Sequence, residues 1–268
     1  MRILFVYISQ FLRTRLAMRA DMAFETIGFV VTIAFQLLFL HMVLRRSGGL
    51  ADWTSAQAYF IFGAAMVPMG LFNLVSGNIY GFADKMVNQG GLDRLLLRPL
   101  GVLPQVFMES FRFGALAEAA LGVWLMTRMG SEFGWEWTTG RALLFTALSV
   151  CAFAIILSVF VCVMSASFWA QDKLGIDAPI WNLMTFGRYP LTVFRPFVQF
   201  LLLFILPFAC IGFLPAAALM DVAGLPGGSR PDLPLPPLVF IPLAALACSL
   251  VATTIWTKGL RNYTSVGA

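Results

Sequence analysis

An all-α polytopic membrane protein with six transmembrane helices is the fold the sequence predicts, on three observations. Hydrophobic residues make up 60% of the 268 and charged residues only 12%, against about 25% charged in an ordinary soluble domain. Mean hydropathy is +0.85. Six apolar runs approach the roughly 20 residues that a helix needs to cross a bilayer. The connectors are of modest length, so residues 1–268 read as a single transmembrane domain.

Residues 1–20 place Leu4, Ile8, Phe11 and Leu12 on one helical side beside Arg2, Arg13, Arg15 and Arg19, the pattern of a helix lying in the headgroup region. A basic flank orienting the first span is the simpler alternative. The apolar run Ile3 to Ile8 is too short for a signal peptide and is followed by arginines rather than a cleavage site, so the segment is expected to stay on the mature chain.

The first span covers about 22–44 and carries Glu25, Gln36 and His41. His41 has no second histidine in the chain with which to share a metal. The second span, about 56–80, is rich in small residues (Gly63, Ala64, Ala65, Gly70, Ser76, Gly77), which let helices approach closely in lipid and make this span a candidate subunit contact. The third, about 103–126, holds Glu109, Arg112 and Glu118. Glu109 and Arg112 are three residues apart and so share a helical side. Ionisable groups inside a membrane face protein or water, so these three are candidates either for an internal ion pair or for a relay.

The fourth span, about 141–169, follows a loop with Trp135 and Trp137, which suit a membrane interface. Ala170 to Arg195 reads as a second polar stretch on the inner side. The fifth span, about 196–220, contains Pro207 and Pro215 and is expected to be broken. A proline-rich loop leads to the sixth span, about 237–256.

Net charge is +5, but the cations lie scattered beside apolar runs, which argues for membrane orientation rather than nucleic-acid binding. Arg2, Arg13, Arg15, Arg19, Lys85, Arg94, Arg98, Lys173, Arg188, Arg195, Lys258 and Arg261 fall on one side of this layout, and Arg45, Arg46, Arg128, Arg141 and Arg230 on the other. The positive-inside rule therefore places both termini in the cytoplasm.

The longest polar interruption of the first half is Phe82 to Leu100. It turns at Gly90-Gly91 and then writes a short amphipathic helix, with Leu92, Leu95, Leu96 and Leu100 at helical spacing, Asp93, Arg94 and Arg98 largely elsewhere, and Pro99 as its stop. A helix this short is worth having only if one side docks on something. No lysine is followed by Ser or Thr, so GxxxxGK[ST] is absent, as are HExxH and GxSxG. The four cysteines, Cys151, Cys162, Cys210 and Cys248, sit in apolar runs without ligand spacing, so no metal is expected.

GGLDRLLLRPL (Gly90 to Leu100), FGRYPLTVF (Phe186 to Phe194) and LPFACIGFLPAAALM (Leu206 to Met220), in this order among six spans, resemble the ABC-2-type permeases of bacterial ABC exporters, in particular the branch reading GxLDxLLLRP. The resemblance covers essentially the whole chain. It implies a subunit of the cytoplasmic membrane that pairs with a second permease, identical or homologous, and sits on two ABC ATPase subunits, which carry the ATP and Mg; this chain would carry no cofactor. Residues 1–20 would be the elbow helix of such a type V exporter-like fold. Gly90, Gly91, Leu92, Asp93, Arg94, Leu95, Leu96, Arg98 and Pro99 would form the ATPase-coupling helix, with Asp93, Arg94 and Arg98 facing the ATPase and Leu92, Leu95 and Leu96 anchoring the helix to its own permease. The rival is a self-sufficient secondary transporter or channel with Glu109, Arg112 and Glu118 as an ion relay. Such proteins often show internal repeats, and none is visible here. A membrane scaffold is a third class.

Overall fold

The computed structural model describes residues 19–47, 53–79, 81–108, 111–169, 176–220 and 233–264. Residues 1–18 of the expected interfacial segment lie outside the described residues, as do Glu109 and residues 170–175, the start of the expected polar stretch 170–195. Regular structure among the described residues is helical: α1 (Arg19–Ser47), α2 (Ser55–Val75), α3 (Gly91–Leu96), α4 (Val102–Met108), α5 (Leu116–Gly130), α6 (Thr139–Ser165), α7 (Asp177–Thr185), α8 (Pro196–Phe200), α9 (Phe213–Leu219) and α10 (Pro237–Asn262), with short tight or wide turns between several of them. Among the described residues four helical stretches are long and apolar enough to cross a membrane: Met22–Arg46, Ser55–Asn88, Thr139–Phe168 and Pro237–Asn262.

The centre is α2. Thr54 and Gln57 cap its start reciprocally, the Thr54 hydroxyl accepting from the Gln57 N–H and the Gln57 amide oxygen accepting from the Thr54 N–H. Its small residues are spent inside this chain rather than on a subunit contact. A Cβ on Gly122 of α5 would lie 2.6 Å from the Gly63 carbonyl oxygen, and one on Gly70 would lie 2.8 Å from the Ala119 nitrogen. The two backbones thus touch along one seam, which any larger residue would force apart. Phe60, Ile61, Ala64, Ala65 and Met69 are fully buried on the remaining faces.

The outer helices are one-sided. From α1, Ile33, Leu40 and Leu44 pack on Ala58, Phe62 and Met66 of α2 and Leu125 of α5, while Phe24, Ile27, Phe35 and Phe39 point away from the bundle. α6 and α10 pair with each other, Ser158 and Ser249 sharing a hydroxyl hydrogen bond of 3.2 Å, and Leu243, Leu246 and Leu250 of α10 face outward. Apolar residues facing outward are what a bundle bathed in lipid requires.

The third apolar run is not one helix. Arg112 has an extended, non-helical backbone (φ −113°, ψ 84°), and its N–H donates to the Leu74 carbonyl at 2.8 Å. Gly114 presses against α1, where a Cβ would stand 2.9 Å from the Thr26 nitrogen. Phe111 and Arg112 are thus non-helical between α4 and α5, and Arg112 closes on α1 and α2; Glu109, its expected helical neighbour, lies outside the described residues.

The stretch around FGRYPLTVF also departs from expectation. Trp181 packs on Phe72 at 6.4 Å, Tyr189 on Phe62 at 6.3 Å, and the Trp53 indole donates to the Thr192 hydroxyl at 2.8 Å. Residues 177–192 thus run the whole length of α2, from its Phe72 end to its Trp53 end, instead of lying beyond it as a polar connector. The following 196–219 segment is broken before Pro207, as expected, whereas Pro215 sits inside α9. Gly187 lets the two pieces meet: a Cβ there would fall 2.3 Å from the Phe208 carbonyl oxygen.

Candidate functional site

Two polar constellations stand out, both at the Val75 end of α2. The first is the Gly90–Leu100 turn. Gly90 has φ +68°, the left-handed region that glycine enters at least cost. A Cβ on Gly91 would lie 2.5 Å from the Lys85 carbonyl oxygen, so the turn closes tightly on the preceding wide helical turn. Leu92 and Leu95 are buried at 0% and 2% exposure. The fully buried Gln105 amide donates to the Leu95 and Leu100 carbonyls at 3.0 and 2.9 Å, which fixes α3 to α4. Asn78 donates to the Val106 carbonyl at 3.0 Å and ties α4 to the end of α2.

Three expectations about this turn change at the level of side chains. Leu96 is 46% exposed and does not anchor the helix. Leu97, which the spacing passed over, is 87% exposed and is the most prominent apolar residue of the turn. Asp93 faces its own chain and accepts a hydrogen bond from the Tyr263 hydroxyl at 3.1 Å. Burial, then the hydrogen bond to Asp93 and its charge, push the Tyr263 phenol above its ordinary value, so it stays a donor. The outward face is made of Arg94, Leu96, Leu97, Arg98 and Pro99.

The second constellation lies inside the bundle. Arg188 is 3% exposed; one terminal nitrogen donates to Glu118 at 2.8 Å, the other to the Gln36 amide oxygen, and Nε points at the Met69 sulfur. Glu118, 2% exposed, accepts from Asn73 at 2.7 Å on its other oxygen. The cluster joins α1, α2, α5 and the segment after α7. It was half legible: Glu118 stands out in an apolar run, but nothing local pairs it with Arg188, 70 residues away. A separate pair joins Arg112 to Glu25 at 2.5 Å, with the guanidinium over the Phe29 ring at 5.0 Å. Arg112 and Glu118 are therefore held by different partners, and Glu109 lies outside the described residues. Among the described residues no group of three His, Cys, Asp or Glu side chains is placed to hold a metal ion.

Beside the cluster opens a cleft of about 280 Å³ lined by Glu25, Phe29, Gln36, Asn73, Arg112, Glu118, Trp181 and Arg188 among others. A second hollow of about 300 Å³, which adds Asp177 and Asn182, shares Phe29, Asn73, Arg112 and Trp181 with it.

Membrane-length apolar helices around a paired polar interior, with an amphipathic turn projecting from one end, describe a multi-pass membrane transport protein. The particular family follows from comparison: the model of the ABC-2 family transporter proteins matches residues 30–267, and the chain belongs to that family. It is thus an ABC-2-type permease, a membrane subunit of a kind that works with ABC ATPase partners and is not itself the ATPase. Comparison with curated proteins and with solved structures gives no match.

Proposed function

We propose that the chain is the permease subunit of an ATP-driven bacterial exporter of a hydrophobic or amphipathic substrate, set in the inner membrane with both termini cytoplasmic and paired with a second, identical or homologous permease. The Gly90–Leu100 turn receives the movement of a partner ATPase. The observation that carries this reading is the division of the turn: Leu92 and Leu95 are buried in the bundle while Arg94, Leu97 and Arg98 face outward. Force on that outer face reaches α2 through Gln105, α4 and Asn78, and reaches the end of α10 through Asp93 and Tyr263. Rigid elements then rock and alternate access.

Topology follows the same reading. Residues 177–194 form the fifth crossing and 196–219 fold back on the outer side, which moves Arg195 outward and takes Arg188 into the bundle. Ten cations then remain inside against six outside, so the positive-inside orientation persists. The relay alternative is weakened by pairing, since Glu118 and Arg112 each already hold an opposite charge.

The test is copurification of the chain with its partner ATPase. Leu97→Asp and Arg98→Glu should each lower the recovered ATPase and the coupled transport at least about tenfold, the scale of one lost interfacial anchor, while Arg128→Glu at the opposite end changes neither. Full ATPase recovery and transport in both turn variants would overturn the assignment.

A further inference from the structure

The two joined hollows beside the buried cluster are more than a packing gap, because their polar groups are unequally spent. Arg188 and Glu118 form the floor and are fully engaged with each other, Gln36 and Asn73. Arg112 is different: its side chain is 34% exposed, and only Nε has a partner among the described residues, Glu25. Its two terminal guanidinium nitrogens have no hydrogen-bond partner among the described residues, and the side chain lines both hollows. Asp177, on the first turn of α7, lines the outer hollow and has no hydrogen-bond or ion-pair partner among the described residues. Phe29, Trp181 and Asn182 line the same hollow as these two groups. The wall formed by Gly28 and Thr32 belongs to the side of α1 that continues into exposed Phe24 and Ile27, so the cleft opens along an apolar ridge.

The remaining N–H donors of a guanidinium suit a phosphate or carboxylate, even where one nitrogen already pairs with Glu25. A carboxylate beside aromatic rings suits an ammonium. Both hollows lie at the low end of the volume range of small-molecule sites, enough for a headgroup but not for a whole lipid, and the apolar ridge gives a tail somewhere to lie. We propose that this cleft binds the headgroup of a zwitterionic amphipath, its anion on Arg112 and its ammonium on Asp177 between Phe29 and Trp181. The proposal rests on the permease reading and names the cargo class of its inner-end entrance. The amphipath comes either from the bilayer or from the aqueous phase.

The test uses the full chain in maltoside micelles and native mass spectrometry with three probes: dioleoyl phosphatidylethanolamine, dioleoyl phosphatidylglycerol and the more soluble lysophosphatidylethanolamine. The zwitterions should be retained about tenfold better than phosphatidylglycerol. Preference for the two-chain probe assigns the bilayer as source, and preference for the single-chain probe assigns the aqueous phase. Asp177→Asn should abolish the preference, and Asp177→Lys should turn it toward phosphatidylglycerol. These two variants alter a half-exposed side chain, so they serve even if Arg112→Gln does not fold. Equal retention of all three probes by the unmodified chain, or an unchanged preference in both Asp177 variants, would overturn the proposal and leave only lipid held without headgroup recognition. Arg98→Glu, outside the cleft, separates the two readings: it should lose the ATPase and keep the headgroup preference. Selective retention by an unmodified chain with which no ATPase copurifies would sink the exporter assignment and keep the site, whereas ATPase coupling of the unmodified chain without selectivity would do the reverse.

Discussion

The Gly90–Leu100 turn draws both its faces from residues 90 to 100, whereas the buried cluster collects Gln36, Asn73, Glu118 and Arg188 from four separate elements. The turn ends in open space, with Leu97 at 87% exposure; the cluster ends on itself, with Arg188 and Glu118 both at 3% or less. A surface built this way can be altered without disturbing the bundle beneath it, while a buried charge network cannot lose one member without stranding another. The first is suited to meeting a partner and the second to keeping four elements in register as they move.

The sharpest way to break this contrast is Arg188→Met. It leaves Glu118 buried with only Asn73, and should cost about 3–5 kcal/mol, read as a large fall in the thermal midpoint of the micelle-solubilised chain. Adding Glu118→Gln removes the stranded charge and should restore most of that loss. Next in size is Leu92→Ala, which empties a fully buried site beneath the turn and should cost about 2–5 kcal/mol. Tyr263→Phe comes next: it removes one half-exposed hydrogen bond to Asp93, so about 1 kcal/mol should be lost, with the outward face of the turn unchanged. The smallest effect is expected of Leu97→Ala, five residues on from Leu92 but solvent-facing, which should stay within about 0.5 kcal/mol in the same melting experiment.

The same contrast explains what could be read from the amino acids alone. The turn is local, so its glycines, its leucine spacing and Pro99 were enough to find it. The spacing was too coarse to decide single faces, and it missed that Leu96 and Leu97 turn outward together as the helix ends after Leu96. Apolar length identified the runs that became α1, α2, α6 and α10, because membrane crossing is a property of composition. It failed where the chain breaks for a long-range reason. Arg112 stands between helices, bonding Leu74 and Glu25, and residues 177–192 lie along α2 because Arg188 pairs with Glu118 and Thr192 with Trp53. Neither pairing has a signature in nearby residues. Arg188, counted as part of a polar connector, is in fact in the interior.

The central claim is that the Gly90–Leu100 turn meets an ATPase with one particular side, and site-directed cross-linking measures this most directly. The natural cysteines all lie in apolar runs, Cys210 buried and the other three half-buried, which leaves a quiet background for a hydrophilic cross-linker. In the assembled complex, Leu97→Cys should couple to the ATPase and be blocked by a membrane-impermeant maleimide only from the cytoplasmic side, while Leu92→Cys should react with neither. Coupling that is absent at residue 97, or labelling of that residue from outside the cell, would contradict the account.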